Sequence, residues 1–226
     1  MKRDECKVIE NYMLDLMRDS AHDKHHIYRV LYAAVDIAEY EREVDTDVLV
    51  ASCLLHDIGR ERQFADLDLC HAEMGGEMAL KFLRTINWNE EKSLHVKACI
   101  STHRYRRNKH PQSIEAKILF DADKLDASGA MGIARTLIYE GKTSEPLYIL
   151  DESGDIVTGG GGEEISTFFQ EYNYKLKNVY DAFYTRRAKI IASSRQKTAT
   201  DFYDGLYREV SQNYERGLRL LTDYLL

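Results

Sequence analysis

Apolar residues recur at intervals of three and four along most of this chain and almost nowhere in strict alternation. That is the pattern of helices with one buried stripe. The first such segment runs from about Asp4 to Arg18, with Val8, Ile9, Tyr12, Met13, Leu16 and Met17 on one face. "HHIYRVLYAAVDIAEY" repeats it through Ile27, Val30, Leu31, Ala34, Ile37 and Ala38. "DVLVASCLLHD" opens after Asp45 and Thr46, both suited to cap a helix start. It closes at Gly59, a residue suited to the left-handed conformation past a helix end. Further helices are predicted over about His71–Thr85, Asn89–Thr102, Ser113–Ala127 and Gly129–Glu140, the last ending at Gly141. Lys142–Glu164 holds Pro146 and the run Gly159–Gly162, which predicts a long surface loop with room for one short hairpin. From Ile165 onward the pattern is helical again and rich in Tyr and Phe. The fold class is therefore all-α: a single-domain helical bundle over residues 1–226, with a core region at about 22–140, a glycine-containing loop at about 142–164 and C-terminal helices over 165–226.

Composition narrows what such a bundle can do. With 226 residues, 44% of them hydrophobic, there is enough apolar surface for one sizeable core. No run approaches the roughly 18 apolar residues of a membrane span, and "MKRDECKVIE" has no apolar signal core, so a cytoplasmic protein with no membrane partner is expected. A formal charge of -7 argues against a nucleic-acid polymer as partner, although local basic clusters remain available to small phosphates. Cys6, Cys53, Cys70 and Cys99 contain no C-x-x-C pair, which argues against a disulfide framework or a thiolate zinc site. "TGGGGEE" lacks the Lys-Ser/Thr of a phosphate-binding loop, and no G-x-S-x-G elbow occurs. The aromatic stripe around Phe168, Phe169 and Tyr172 reads as core, with stacking on a nucleobase as the alternative.

The stretch "LLHDIGRER" puts His56 and Asp57 side by side at the end of an apolar run. Neighbouring helical residues point about 100° apart, so the two converge on one atom only if it lies beyond the helix end between them. A metal ion meets that requirement. The dipeptide alone is also explained by an aspartate near a helix terminus. His26, on the preceding helix, is able to face the same point. "ILFDADKLDASGAMGIAR" adds Asp121, Asp123 and Asp126 within an apolar helix, where carboxylates are costly unless paired or bound to a cation. Asp123 and Asp126 are three apart and share a face, whereas Asp121 points nearly opposite to Asp123.

His26 in "HIYRV", His56-Asp57 in "LLHDIG" and the aspartate of "DADKL" together resemble the ordered H…HD…D signature of the HD superfamily of metal-dependent phosphohydrolases. "DADKLDASGAMGIAR" and "KLKNVYDAFYT" further resemble a subgroup of single-domain bacterial HD proteins that includes nucleotide pyrophosphatases. The resemblance spans roughly His22 to Phe202. It implies an HD-type bundle in which His26, His56, Asp57 and Asp123 hold a divalent ion, Asp121 being the competitor for the last place. Two imidazoles and two carboxylates without a thiolate suit Mn²⁺, Mg²⁺, Fe²⁺, Co²⁺ or Ni²⁺, with Zn²⁺ also admissible. The implied reaction is hydrolysis of a small phosphorylated metabolite by a metal-activated water, a nucleoside triphosphate or diphosphate first. The alternatives are a non-catalytic metal- and nucleotide-binding sensor and a dinuclear cyclic-nucleotide phosphodiesterase.

His71 and His103 fall where dinuclear members of the superfamily carry two further ligands. The reading favoured is one ion, with both histidines lining the site as substrate contacts. Arg60 follows the HD pair directly, and Asp57, Asp126 and Arg60 are assigned to catalysis, Asp126 as a proton relay or as a hydrogen-bond support for a ligand. "HRYRRNKH" supplies Arg104 and Arg107 for bidentate phosphate contacts. Lys175 matches a lysine of the subgroup pattern H-F-x-E-K-L, from which "FFQEYNYKL" departs. A homodimer is compatible with all of this.

Overall fold

A computed structural model of the chain describes residues 1–17, 24–60, 62, 69–104, 109–159 and 167–225. Among these residues it is all-α, with nine α-helices, one 3-10 helix and a single isolated antiparallel bridge. Two compact units are present. The first comprises Met1–Asp126 with Phe183–Lys189, the second Ala127–Ala182 with Ile190–Leu226.

The first unit contains α1 (Arg3–Leu16), α2 (Lys24–Ala38), α3 (Thr46–Leu55), α4 (His71–Thr85), α5 (Glu90–Ser101) and α6 (Ile114–Asp126). Its centre is α3, which packs against each of the other five. The reason lies in "TDVLVASCLL": apolar and small residues surround this helix, and Val48, Leu49, Ala51, Ser52, Cys53, Leu54 and Leu55 are all buried. Asp45 caps its start, its side chain accepting from the amides of Asp47 and Val48. Asn89 does the same for α5 through the Lys92 amide. Phe183–Lys189 is tied to α6 by Asp121, whose carboxylate accepts from the amides of Tyr184 and Thr185 and from the Thr185 hydroxyl.

The helix starts agree with the sequence reading more closely than the ends. α3 stops at Leu55, and residues 56–59 form a turn. Gly59 is not left-handed; among the described glycines, that region holds Gly129 and Gly154. The glycine is needed because a Cβ there would lie 2.3 Å from the His71 carbonyl oxygen and 2.6 Å from the Gly75 amide. The helix expected to end at Gly141 continues to Thr143 and is closed by left-handed Ser144, φ 60°.

The second unit contains α7 (Gly129–Thr143), α8 (Phe168–Tyr174), a 3-10 turn over Leu176–Asp181 and most of α9 (Arg186–Leu225), whose first turn belongs to the first unit. Its core gathers Ile133, Ile156, Phe168, Phe169, Tyr172 and Ala199, with Tyr203 stacked on Tyr172 at 4.3 Å. These aromatics are packing residues, as expected. In the predicted loop, Leu150 and Ile156 form the isolated bridge around a tight turn at Gly154; residues 160–166, which include most of the glycine run, lie outside the described residues.

Candidate metal centre

Two histidines reach the centre by one local device. A helix leaves its last carbonyls without intrahelical partners. Past the end of α3, the His56 Nδ1–H donates to the Cys53 carbonyl at 2.8 Å; past the end of α5, the His103 Nδ1–H donates to the Ile100 carbonyl at 2.6 Å. Each ring is thereby turned so that Nε2 points inward. His26, on α2, is held by Asp126 of α6, with Nδ1 2.7 Å from Oδ2. Arg29 Nε supports the same carboxylate at 2.6 Å.

The inward atoms surround Asp57. Its Oδ2 lies 3.5 Å from His26 Nε2 and 3.6 Å from His56 Nε2. Its Oδ1 lies 3.7 Å from His71 Nε2 and 3.6 Å from His103 Nε2. Asp123 closes the first side, with Oδ1 3.5 Å from His26 Nε2. The donors form two groups, His26, His56 and Asp123 in one and Asp57, His71 and His103 in the other, with the ligand atoms of each within 4.8 Å of one another.

The chemistry of the donors tests whether a cation belongs here. With Nδ1 of His56 donating to a carbonyl and Nδ1 of His26 to a carboxylate, the neutral rings bring two Nε2 lone pairs within 3.3 Å of each other. Lone pairs facing at that distance repel unless a proton or metal ion lies between them. On the other side, Asp57 Oδ1 and His103 Nε2 are buried and make no hydrogen bond. Buried polar atoms of this kind are costly when unsatisfied. Donors about 2.1 Å from an ion and at right angles to each other lie about 3 Å apart, close to the separations found. The cluster is compatible with a divalent metal site.

Titration follows the same geometry. Burial pushes His26 down, but hydrogen bonds to Asp126 and Asp57 and the charge of Asp123 outweigh it and hold its pKa at about 9. Burial pushes His56 down to about 4. Burial and the neighbouring Arg60 guanidinium lower His71 to about 3. Asp57 would be raised by burial, yet His56, His103, His26 and Arg60 hold it well below the usual carboxylate range.

Of the other residues singled out in the sequence, Arg60 Nε donates to Asp57 Oδ2 at 2.6 Å and Lys124 Nζ to Asp123 Oδ2 at 2.8 Å. Arg104 is half-buried, its charge lowers the His71 pKa, and its Nη1 is buried without a hydrogen bond. Arg107 lies outside the described residues. Lys175 belongs to the second unit, exposed and paired with Glu171 at 2.7 Å. Asp121 is taken up by its bonds to Tyr184 and Thr185, which leaves Asp123 as the α6 carboxylate in the cluster. The carbonyl supports at Cys53 and Ile100 were missed from sequence; their signal is a histidine three residues after a residue of a helix's last turn.

The HD domain family matches residues 24–128, which contain the whole cluster. The Bacillus subtilis (strain 168) protein YpgQ is 27% identical over 209 residues, covering 91% of this chain and 94% of YpgQ. Among solved structures, an HD-superfamily hydrolase from Bacillus thuringiensis superposes with a TM-score of 0.70 at 27% identity, covering 92% of this chain and 98% of that one. Bacillus subtilis YpgQ in complex with ADP superposes with a TM-score of 0.68 at 25% identity, covering 90% and 97%. The fold is that of the HD-superfamily hydrolases.

Proposed function

We propose, for a chain that belongs to the HD superfamily through its residues 24–128, that it is a metal-dependent phosphohydrolase acting on a small phosphorylated metabolite, a nucleoside triphosphate or diphosphate first. The observation that carries the reading is the buried Asp57 carboxylate, with one oxygen against His26 and His56 and the other against His71 and His103. His26, His56, Asp57 and Asp123 would hold the ion. When bound, a divalent ion supplies positive charge to a phosphoryl oxygen and lowers the pKa of water, so that water rather than a side chain is the nucleophile.

The side chains supply the rest. Asp126 fixes the His26 ring and its tautomer and acts through it as a positioning residue. Arg104, with a buried guanidinium nitrogen lacking a hydrogen bond, is placed in this reading to receive a phosphate oxygen. Arg60 donates to Asp57 Oδ2 and, after His56, His103 and His26, helps to hold that carboxyl in its ionised form. α3 and α5 both end at the centre, and the partial negative charge of their C-termini favours a cation there. The nucleotide class is supported by ADP, the ligand in the structure of the similar YpgQ.

A second reading concerns the number of ions. Asp57 Oδ1 and His103 Nε2 lack hydrogen bonds, and with His71 they form a separate group of donors. On that reading Asp57, His71 and His103 would hold a second ion, rather than the two histidines lining the site.

The test is metal content per chain after loading with Mn²⁺, with release of phosphate and pyrophosphate from a panel of nucleoside triphosphates, diphosphates and cyclic nucleotides, beside Asp57→Ala. Turnover of one class, lost in the variant, is expected, and the product tells which bond is cut. Two ions per chain would establish the dinuclear reading. Metal held without turnover of any nucleotide would replace the hydrolase with a binding role.

A further inference from the structure

Among the described residues, Glu140 is the carboxylate that is buried with both oxygens unsatisfied. It lies in the last turn of α7 and is 4% exposed. The charges that act on it most are of its own sign: Glu145, which follows the helix, and Glu171 of α8. Both are half-buried, so the three acids sit at the margin of the second unit, next to its surface.

The surroundings add negative potential and do not cancel it. α7 ends at Thr143, which puts its last carbonyls and the negative end of its dipole beside Glu140. Two lysines are near in sequence. Lys142, in the same turn, is exposed. Lys175 is 68% exposed and is held by Glu171 at 2.7 Å, an i,i+4 surface pair of the kind that contributes little.

We propose that Glu140, Glu145 and Glu171 form a binding site, separate from the metal centre, for an aliphatic amine carrying two or more charged nitrogens. A buried carboxylate is costly unless it is hydrogen-bonded to a group of opposite charge, and this cluster offers acceptors without donors. The spacing of the acids selects the kind of cation. Among the described residues, sets of three acidic or histidine donors within 4.8 Å of one another occur at the metal centre and not here. Ligand atoms bound to an ion the size of Mg²⁺ at about 2.1 Å lie no more than about 4.2 Å apart, so these carboxylates do not close around one such ion. An ammonium brings three N–H donors pointing in different directions, and a second charged nitrogen along an aliphatic chain reaches the more distant carboxylate. The net charge of -7 favours the approach of such a polycation.

The test is isothermal titration of the full chain with spermidine at pH 8 and about 0.15 M salt, where attraction to the general surface charge is screened. Wild type is run beside Glu140→Gln, Glu171→Gln and Asp57→Ala. One spermidine per chain is expected, with affinity at least tenfold weaker in Glu140→Gln and Glu171→Gln and unchanged in Asp57→Ala, which alters the metal centre in the other unit. No binding by the wild type would overturn the proposal, as would binding that survives Glu140→Gln. Uptake of Mg²⁺ or Ca²⁺ in place of spermidine, lost in Glu140→Gln but kept in Asp57→Ala, would give the site to a metal ion and overturn the amine. Glu140→Gln keeps the shape and removes the buried charge, so it is expected to fold; should it not, Glu171→Gln decides alone.

Discussion

Asp126 makes no contact with the inward nitrogen of His26, yet it fixes which nitrogen that is. Its carboxylate accepts a hydrogen bond from Nδ1–H at 2.7 Å, leaving the Nε2 lone pair to face the centre in the neutral ring. Asp126→Asn keeps the shape and loses the charge, so metal affinity is expected to fall about 10- to 100-fold while the fold persists; titration calorimetry with Mn²⁺ measures it, and an unchanged affinity would remove Asp126 from the centre. The same pair sets a pH dependence. His26 titrates at about 9, so below that pH an ion must displace a proton from it. Affinity should therefore rise about tenfold per pH unit from neutrality toward 9 and then level off. In Asp126→Asn the plateau should begin at lower pH, because one of the interactions raising the His26 pKa is gone. A flat profile in the wild type would mean that the ion is not bound through His26. At this scale the sequence was most informative: His26, His56, Asp57 and Asp123 lie in one buried cluster. Residue type and order carry that information because few side chains tolerate burial beside an ion. The two oxygens of Asp57 facing different histidines could not be read, since that depends on a χ angle set by packing.

Helices were legible through their stripes, and their ends were not, because an end is decided by what the next segment touches. Gly59 illustrates the difference. From sequence it resembled a left-handed terminator, but its role is close approach of the turn after α3 to the start of α4. A methyl group there would meet backbone atoms of His71 and Gly75, which cannot rotate away. Gly59→Ala should destabilise the protein by more than about 2 kcal/mol and weaken metal binding with it, since the turn carries His56 and Asp57; denaturant unfolding and metal titration read both. A substitution tolerated within about 0.5 kcal/mol would show that α4 can move away without cost. In α7 the informative residue is Glu140, buried with neither carboxylate oxygen hydrogen-bonded. Burial, then the charges of Glu145 and Glu171, raise its pKa from 4.5 to about 7. The folded state thus binds this proton more tightly than the unfolded one, and its contribution to stability is full below pH 4.5 and lost as pH rises through about 7. Glu140→Gln should therefore be more stable than wild type at pH 8, by about 1–2 kcal/mol after allowance for solvent screening, with little advantage at pH 4.5. An advantage that does not change with pH would assign the effect to packing.

At the scale of the molecule, an all-α chain was legible from periodicity alone, whereas its division into two compact units was not. Both units are built from the same helical repeat, so periodicity does not mark the boundary between them; the division follows from which helices share contacts, a property of tertiary packing. The division has a consequence for ligand binding. Every candidate ligand lies in the first unit, on α2, α4 and α6 and just beyond the ends of α3 and α5, while the second unit has its own core around Phe168, Phe169 and Tyr172. An ion that binds only the folded state adds about 2.7 kcal/mol of stability at a free concentration one hundred times its Kd. That energy is gained wherever unfolding releases the ion. If the units open separately, Mn²⁺ should slow hydrogen exchange in α2, α3 and α6 by up to about 100-fold and leave α7 and α8 nearly unchanged. Protection that rises equally in both units would instead show that the chain opens as one cooperative block, with the aromatic core of the second unit stabilised by an ion bound in the first.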